Sequence, residues 1–168
     1  VNIAYLKESM GKFDEALEGY EKALKIDKQA LGDEHVDVAK TEENMGNIFL
    51  KQGLYDAALQ VFQRVLAIKE RVYGTDHWEV SATLNGIATV KHKQGEFKES
   101  LQGFERALEI RRILLGDEDE DVAASMTGIA NVLTGQGEYD LALEKHEKAL
   151  EIKVNALGDE NVDVAESL

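Results

Sequence analysis

The apolar positions of this chain recur with a period of 42 residues. Four columns of the repeat hold the same apolar residue in every copy: Leu17/Leu59/Leu101/Leu143, Leu24/Leu66/Leu108/Leu150, Ile26/Ile68/Ile110/Ile152 and Val38/Val80/Val122/Val164. Two glycine columns follow the same spacing: Gly11/Gly53/Gly95/Gly137 and Gly32/Gly74/Gly116/Gly158. A fixed period of this length is typical of repeat proteins. The 168 residues therefore correspond to four repeat lengths of 42.

Each period contains two stretches in which apolar residues have helical spacing. The first, about residues 36–52, ends before Gly53, a residue suited to a left-handed C-terminal cap. The second, about residues 55–73, carries Lys69 and Arg71 near its end, where positive charge complements the helix dipole. We name these predicted segments helix A and helix B. Helix B recurs at about residues 13–31, 97–115 and 139–157, and partial copies of helix A occupy residues 1–10 and 162–168.

Small residues recur at the positions where two helices must approach closely. They are Ala4, Gly46, Ala88 and Ala130 in helix A, and Ala16, Ala58, Ser100 and Ala142 in helix B. Small side chains let helix backbones pack tightly. We therefore expect helix A and helix B of one repeat to form an antiparallel pair.

One helical pair cannot bury its apolar stripe alone, whereas stacked pairs build a continuous core. The sequence therefore predicts an all-α fold, a right-handed superhelical solenoid of antiparallel helix pairs. We expect a single array over residues 1–168, divided into units 1–35, 36–77, 78–119, 120–161 and 162–168. The partial end helices lack a polar cap, so we expect the parent protein to continue on both sides, or the ends to stack on other copies.

Composition narrows the function classes. The chain has no proline, so the strongest helix breaker is absent, and its 43% hydrophobic and 31% charged residues are typical of a folded protein. A net charge of -14 disfavours nucleic acid and anionic membrane surfaces as partners. The absence of cysteine excludes disulfides and thiolate chemistry. No apolar run approaches the length of a membrane span, and we expect a cytoplasmic protein.

The repeat also matches a known signature. In the second copy it comprises Asn44-Met45-Gly46, the run 52–59 (QGLYDAAL), and Phe62, Val65, Leu66 and Ile68, preceded by the loop 31–39 (LGDEHVDVA). These residues resemble the tetratricopeptide repeat (TPR) family, in the 42-residue variety found in kinesin light chains. Two columns depart from the pattern. The family usually places proline where Val36, Trp78, Glu120 and Val162 stand, and His146 replaces the aromatic residue of the helix B column Tyr20/Phe62/Phe104.

The resemblance implies a protein–protein interaction scaffold. In tetratricopeptide arrays helix A lines the concave groove, and kinesin light chains use a positively charged groove to bind acidic cargo peptides that contain tryptophan. Kinesin light chains join the motor through a coiled coil upstream of the repeats, and no such segment is present in this sequence. The resemblance therefore implies cargo or adaptor recognition as one form of the scaffold role, and it leaves open whether the parent protein binds the motor.

No residue pattern indicates catalysis or a metal site. His35 and His77 occupy one loop column beside carboxylates, but equivalent positions in consecutive repeats lie on the order of 10 Å apart, too far to share one ion. We expect this column to cap the start of helix A instead. The serines form no nucleophile motif, and no glycine-rich phosphate loop occurs. We predict no enzyme activity, no cofactor and no metal.

Trp78, the single tryptophan, leaves two interpretations open. It lies in the loop-to-helix column, where a hydrophobic staple at the start of helix A is the first interpretation. Tryptophan is also enriched at interface hot spots, which makes contact with a partner the second.

The helix A stripe supplies the candidate binding residues: Asn2, Tyr5, Lys40, Asn44, Asn47, Lys51, Asn85, Thr89, His92, Lys93, Thr127, Asn131 and Thr134. Glu8 and Glu43 share the stripe. Asparagine offers a donor and an acceptor together, so such a surface can hold the backbone of an extended peptide. Lys40, Lys51, His92 and Lys93, with Lys7 at the edge, would supply its positive charge.

We therefore predict a scaffold that binds an extended peptide of a protein partner in the groove. A solvated groove face and binding on the opposite face remain open, as does a structural or oligomerisation role within a larger repeat protein.

Overall fold

The computed structural model describes residues 2–157, and this part of the chain folds into eight α-helices without strands. The helices are α1 (Asn2–Ser9), α2 (Phe13–Leu31), α3 (Val36–Lys51), α4 (Tyr55–Tyr73), α5 (Trp78–Lys93), α6 (Phe97–Leu115), α7 (Glu120–Gln136) and α8 (Tyr139–Leu157). Odd-numbered helices correspond to the predicted helix A and even-numbered helices to helix B. The predicted partial helix at 162–168 lies outside the described residues.

Two compact units divide the chain between Thr75 and Asp76. In the first unit α1 packs on α2, α2 on α3 and α3 on α4. In the second unit α5 packs on α6, α6 on α7 and α7 on α8, and α5 also contacts α7 directly. Consecutive helices within each unit are therefore neighbours, as the helix-pair prediction requires.

The small residues lie at the contacts between helices, as predicted. All eight are buried. In the third repeat Ser100 replaces the usual alanine, and its Oγ donates a hydrogen bond to the carbonyl oxygen of Ala88 at 2.7 Å. A Cβ atom added to Gly103 would lie 2.9 Å from the Ala88 Cβ. The backbones of α5 and α6 thus approach too closely for larger side chains.

Helix starts confirm the capping prediction. The Nδ1 atom of His35 accepts a hydrogen bond from the Asp37 backbone N–H at 3.2 Å, and His77 does the same for Glu79 at 3.2 Å. In the next repeat the Asp119 carboxylate caps the Asp121 N–H at 2.9 Å. An imidazole acceptor thus performs the role that serine or aspartate usually has at this position.

The staple interpretation of Trp78 is wrong in its geometry. His77 is the N-cap of α5, so Trp78 is the first helical residue. A staple joins the residue before the cap, here Asp76, to the fourth helical residue, here Ser81, and neither is apolar. The Trp78 side chain is 49% exposed, and its ring lies 6.1 Å from the His77 ring between centroids.

Lys69 corrects a second expectation, that it serves as a charge at the end of helix B. Its side chain is fully buried, and its Nζ donates to the Glu43 carboxylate at 2.6 Å. A buried ammonium needs such a partner because desolvation of an unpaired charge is costly. Arg71 remains exposed and pairs with Glu34 at 2.7 Å.

One apolar column is not uniformly buried. Ile68, Ile110 and Ile152 belong to the core, whereas Ile26 is 65% exposed. Ile68 packs with Ala39 of the preceding helix A. α1 has only eight residues and offers no equivalent of Ala39 to α2, so Ile26 lacks that cover. Among residues 2–157, no helix is both long and apolar enough to cross a membrane.

The glycine columns yield a stability prediction. Gly116 and Gly137 share a positive φ of 88° and 81°, but ψ is 168° at Gly116 and 10° at Gly137. Asparagine tolerates the left-handed region of Gly137, whereas the region of Gly116 is essentially restricted to glycine. We expect Gly116→Asn to lower the free energy of unfolding by about 1–3 kcal/mol. Gly137→Asn, the matched control, should lower it by less in urea denaturation, and equal losses would contradict this assignment.

Candidate functional site

Seven of the predicted binding residues line one cleft of about 620 Å³ in the second unit. α5 contributes one stripe and α7 the facing stripe, while α6 supplies the floor. The predicted residues in the cleft are Asn85, Thr89, His92, Lys93, Thr127, Asn131 and Thr134. Helical spacing places each set on one helix face, and direct contact between α5 and α7 brings the two faces together.

The floor of the cleft was not predicted. Phe104 of α6 lies there, and Ala124, Gly128 and Gly135 of α7 line the cleft beside the predicted residues. A Cβ atom added to Gly128 would come within 2.4 Å of the Phe104 ring, so only glycine lets the ring lie directly beneath α7. A glycine inside helix A, Gly128, is the sequence signal that could have indicated this pocket.

The threonine hydroxyls of the cleft have a fixed orientation. Thr89 donates to the backbone carbonyl of Asn85 at 2.8 Å, Thr127 to Ala123 at 3.0 Å, and Thr134 to Ala130 at 2.9 Å. A hydroxyl has one proton and two lone pairs. Because each proton is directed to its own helix, the three oxygens present acceptors.

The electrostatics of the cleft differ from those of the whole chain. Although the net charge is -14, none of the described residues that line the cleft is acidic. Lys93 has no ion-pair partner among residues 2–157. The pKa of His92 is lowered, first by burial and then by the neighbouring Lys93, which favours the neutral imidazole. The cleft thus carries one positive charge.

His92 lies at the end of the cleft, against aromatic and backbone surface. Its ring is 5.8 Å from the Phe97 ring between centroids, and its buried Nδ1 has no hydrogen-bond partner within the described part of the chain. Gly135 makes room for Phe97, since an added Cβ would lie 2.7 Å from that ring. This packing explains why a charged imidazolium is unfavourable at His92.

The predicted residues of the first unit lie on a different kind of surface. Asn2, Tyr5, Lys40 and Lys51 are exposed, and Asn44 and Asn47 are half-buried. Glu8 and Glu43, which share the stripe, do not face an open groove. Glu8 is buried and accepts hydrogen bonds from the Tyr20 hydroxyl at 3.1 Å and from the Lys51 Nζ at 2.8 Å. Burial and Glu8 together raise the pKa of Tyr20.

These pairs reduce the expected basic surface. Lys51 is neutralised by Glu8, and Lys7 pairs with Glu15 at 3.2 Å. His92 favours its neutral form, as described above. These contacts reduce the positive charge that the predicted residues of each unit offer to a partner. Among residues 2–157 no cluster of three or more histidine and acidic side chains is arranged to hold a metal ion.

Comparison with known proteins identifies the repeat. The family model described as tetratricopeptide repeat matches residues 1–71, 37–112 and 79–154. The chain belongs to the tetratricopeptide repeat family. Its described helices are thus an all-α TPR array, and TPR arrays generally mediate protein–protein interaction. Comparison with curated proteins gives no match.

Solved structures similar to this chain include two of a putative kinesin light chain. BtubC (BKLC) from P. vanneervenii superposes with a TM-score of 0.81 at 25% identity, covering 93% of this chain and 62% of its own. Two structures of a putative kinesin light chain with nearly identical TPR-like repeats, from Podosopora anserina, follow. The first, a variant with one substitution, has a TM-score of 0.79 at 21% identity, covering 99% of this chain and 78% of its own. The second has a TM-score of 0.70 at 21% sequence identity, and the match covers 92% of this chain and 73% of its own.

His92 yields a pH prediction. Because its pKa is lowered in the folded state, the unfolded state binds a proton more readily, and stability falls as the pH drops through the unfolded value of about 6.5. We expect the wild-type TPR array to lose more thermal stability between about pH 7.5 and pH 5.5 than His92→Gln. His146→Gln controls for the loss of any histidine. If wild type and His92→Gln lose equal thermal stability over this pH range, protonation of the buried His92 imidazole does not cause the loss.

Proposed function

We propose that this TPR array is a protein–protein interaction module that holds an extended peptide of its partner in the cleft between α5 and α7. The observation that carries the proposal is the convergence of seven polar side chains from two helices on one cleft whose described lining has no acidic residue. Membership of the family supports the general role of protein–protein interaction, since TPR arrays are typically non-enzymatic scaffolds.

The polar groups suit a peptide backbone. Extended backbone presents carbonyl acceptors and N–H donors alternately, and it needs both kinds of partner when it leaves water. The threonine oxygens offer acceptors to N–H groups, and the Asn85 and Asn131 amides offer donors. Phe104, Gly128 and Gly135 supply the apolar part of the cleft lining, against which a side chain of the peptide can pack.

The matching face of the first unit is proposed as an accessory contact surface. It comprises Asn2, Tyr5, Lys40, Asn44, Asn47 and Lys51. A basic groove for acidic cargo, of the kind that kinesin light chains use, receives less support, because Lys51 is bound to Glu8 and Lys93 is the main charge of the cleft.

Blocking the cleft tests the proposal. Random peptides displayed on phage are selected on the chain, and the affinity of the enriched peptides is measured by isothermal titration calorimetry. Ala124 is exposed and lines the cleft, so Ala124→Trp fills the space without disturbing the core. We expect Ala124→Trp to lower affinity about tenfold or more, which corresponds to about 1.4 kcal/mol.

Gln102→Trp provides the matched control, because Gln102 is exposed on α6, outside the cleft. This variant should bind the peptides as wild type does. A loss of affinity in Gln102→Trp with none in Ala124→Trp would place binding on the opposite face and contradict the proposal.

A structural or oligomerisation role is the second candidate, and exposed apolar side chains favour it. Ile3 and Leu6 on α1 and Tyr139 and Leu143 on α8 are each more than half exposed. If copies stack through these faces, the mass measured by light scattering should rise with concentration, and Leu143→Glu should prevent the rise. A constant monomer mass would remove this candidate.

A further inference from the structure

A buried arginine network adjoins the cleft. The Arg111 side chain of α6 is 5% exposed. Its Nε donates to the Ser81 hydroxyl at 3.1 Å, and its Nη1 donates to the Ser125 hydroxyl at 3.0 Å and to the Asp121 carbonyl at 2.7 Å. Ser81 lies on α5, and Ser125 and Asp121 lie on α7. Arg111 therefore connects the two walls of the cleft from below.

The network determines the direction of each hydrogen bond, because a guanidinium group only donates. Both serine oxygens accept from Arg111, so each hydroxyl proton must be directed away from it. Ser81 donates its proton to the Trp78 carbonyl at 2.7 Å.

Ser125 has two acceptors in reach, the Asn85 Oδ1 atom and the Asp121 carbonyl, both at 3.3 Å. The Asp121 carbonyl already accepts from Arg111 and, as a helix residue, from the N–H four residues later. Its two lone pairs are therefore occupied. The Ser125 proton is left for Asn85 Oδ1.

We propose that Arg111 is a positioning residue that, through Ser125, fixes the Asn85 amide so that its NH₂ group faces the cleft and donates to a carbonyl oxygen of the bound peptide. The inference rests on the proposed function for its ligand. With this orientation, Asn85 presents a hydrogen-bond donor to the cleft, whereas the threonine hydroxyls present acceptors.

The first unit supports a connection between these two columns. Lys69 and Glu43 stand 42 residues before Arg111 and Asn85, respectively. There the buried cation binds the helix A side chain directly, at 2.6 Å. In the second unit two successive hydrogen bonds, from Arg111 to Ser125 and from Ser125 to Asn85, replace this contact. The cation Arg111 thus acts on the uncharged Asn85 side chain through Ser125.

The first test needs no ligand. In the full chain, the Asn85 side-chain resonances are assigned by NMR, and the ¹³Cγ shift and the order of the NH₂ group are measured in Ser125→Ala and Ser81→Ala. Both serines are buried and bound to Arg111, but of the two hydroxyls only that of Ser125 hydrogen-bonds the Asn85 side chain. We expect Ser125→Ala to move the ¹³Cγ shift and to increase NH₂ motion, while Ser81→Ala leaves both unchanged. Equal changes, or none in Ser125→Ala, would overturn the positioning role.

The second test uses the peptides enriched by selection on the wild-type chain. Asn85→Asp keeps an acceptor and removes the donor, and should lower affinity about five- to tenfold. Asn131→Asp adds the same charge to the cleft at an amide with no fixed partner among the described residues. Its loss should be smaller, and an equal or larger loss would overturn the ligand assignment. If no peptide binds wild type, the proposed function and the ligand assignment fail, and the NMR result alone decides the positioning role.

Discussion

The close approach of the two helices within each pair is the constraint on which the rest of this structure depends. At Ala88 and Ser100 the backbones of α5 and α6 are near enough for a side-chain hydroxyl to reach a helix carbonyl, and Gly103 has no room for a Cβ atom. The first unit repeats this arrangement, since a Cβ on Gly19 would lie 2.9 Å from the Ala4 Cβ. Larger residues there would separate the pair and displace the helix A face that lines the cleft.

Glycine has a second role in the second unit, which turns a helix face into a cleft. Gly128 admits the Phe104 ring beneath α7, and Gly135 admits the Phe97 ring beside His92. These glycines are helical, so they are required by steric contact and not by backbone conformation. The cleft therefore results from glycines on α7 that face the large phenylalanine side chains of α6, within an otherwise regular repeat.

Features that are local or that recur four times could be predicted from the sequence. Helix bounds, glycine caps, the capping role of His35 and His77, and the stripe that lines the cleft all follow from the 42-residue register. The partners of charged side chains could not, because they depend on which side chains of different helices meet after packing. From the sequence, Lys69 is interpreted as a charge at a helix end, whereas in the structure it binds Glu43. Lys51 is likewise predicted as a cation of the groove, whereas in the structure it binds Glu8.

The two units show how one backbone register can carry different surface chemistry. In the first unit the helix A stripe contains carboxylates that bind lysines of the same unit, so those charges stabilise the fold. In the second unit asparagine, threonine and histidine occupy these columns, and the buried cation Arg111 reaches both cleft walls through serine hydroxyls, with the Asp121 carboxylate 3.5 Å away. Neutral groups cost less to desolvate than ions, so a peptide can displace water from this face with a smaller penalty. The net charge of -14 therefore does not describe the cleft, whose described lining holds a lysine and no carboxylate.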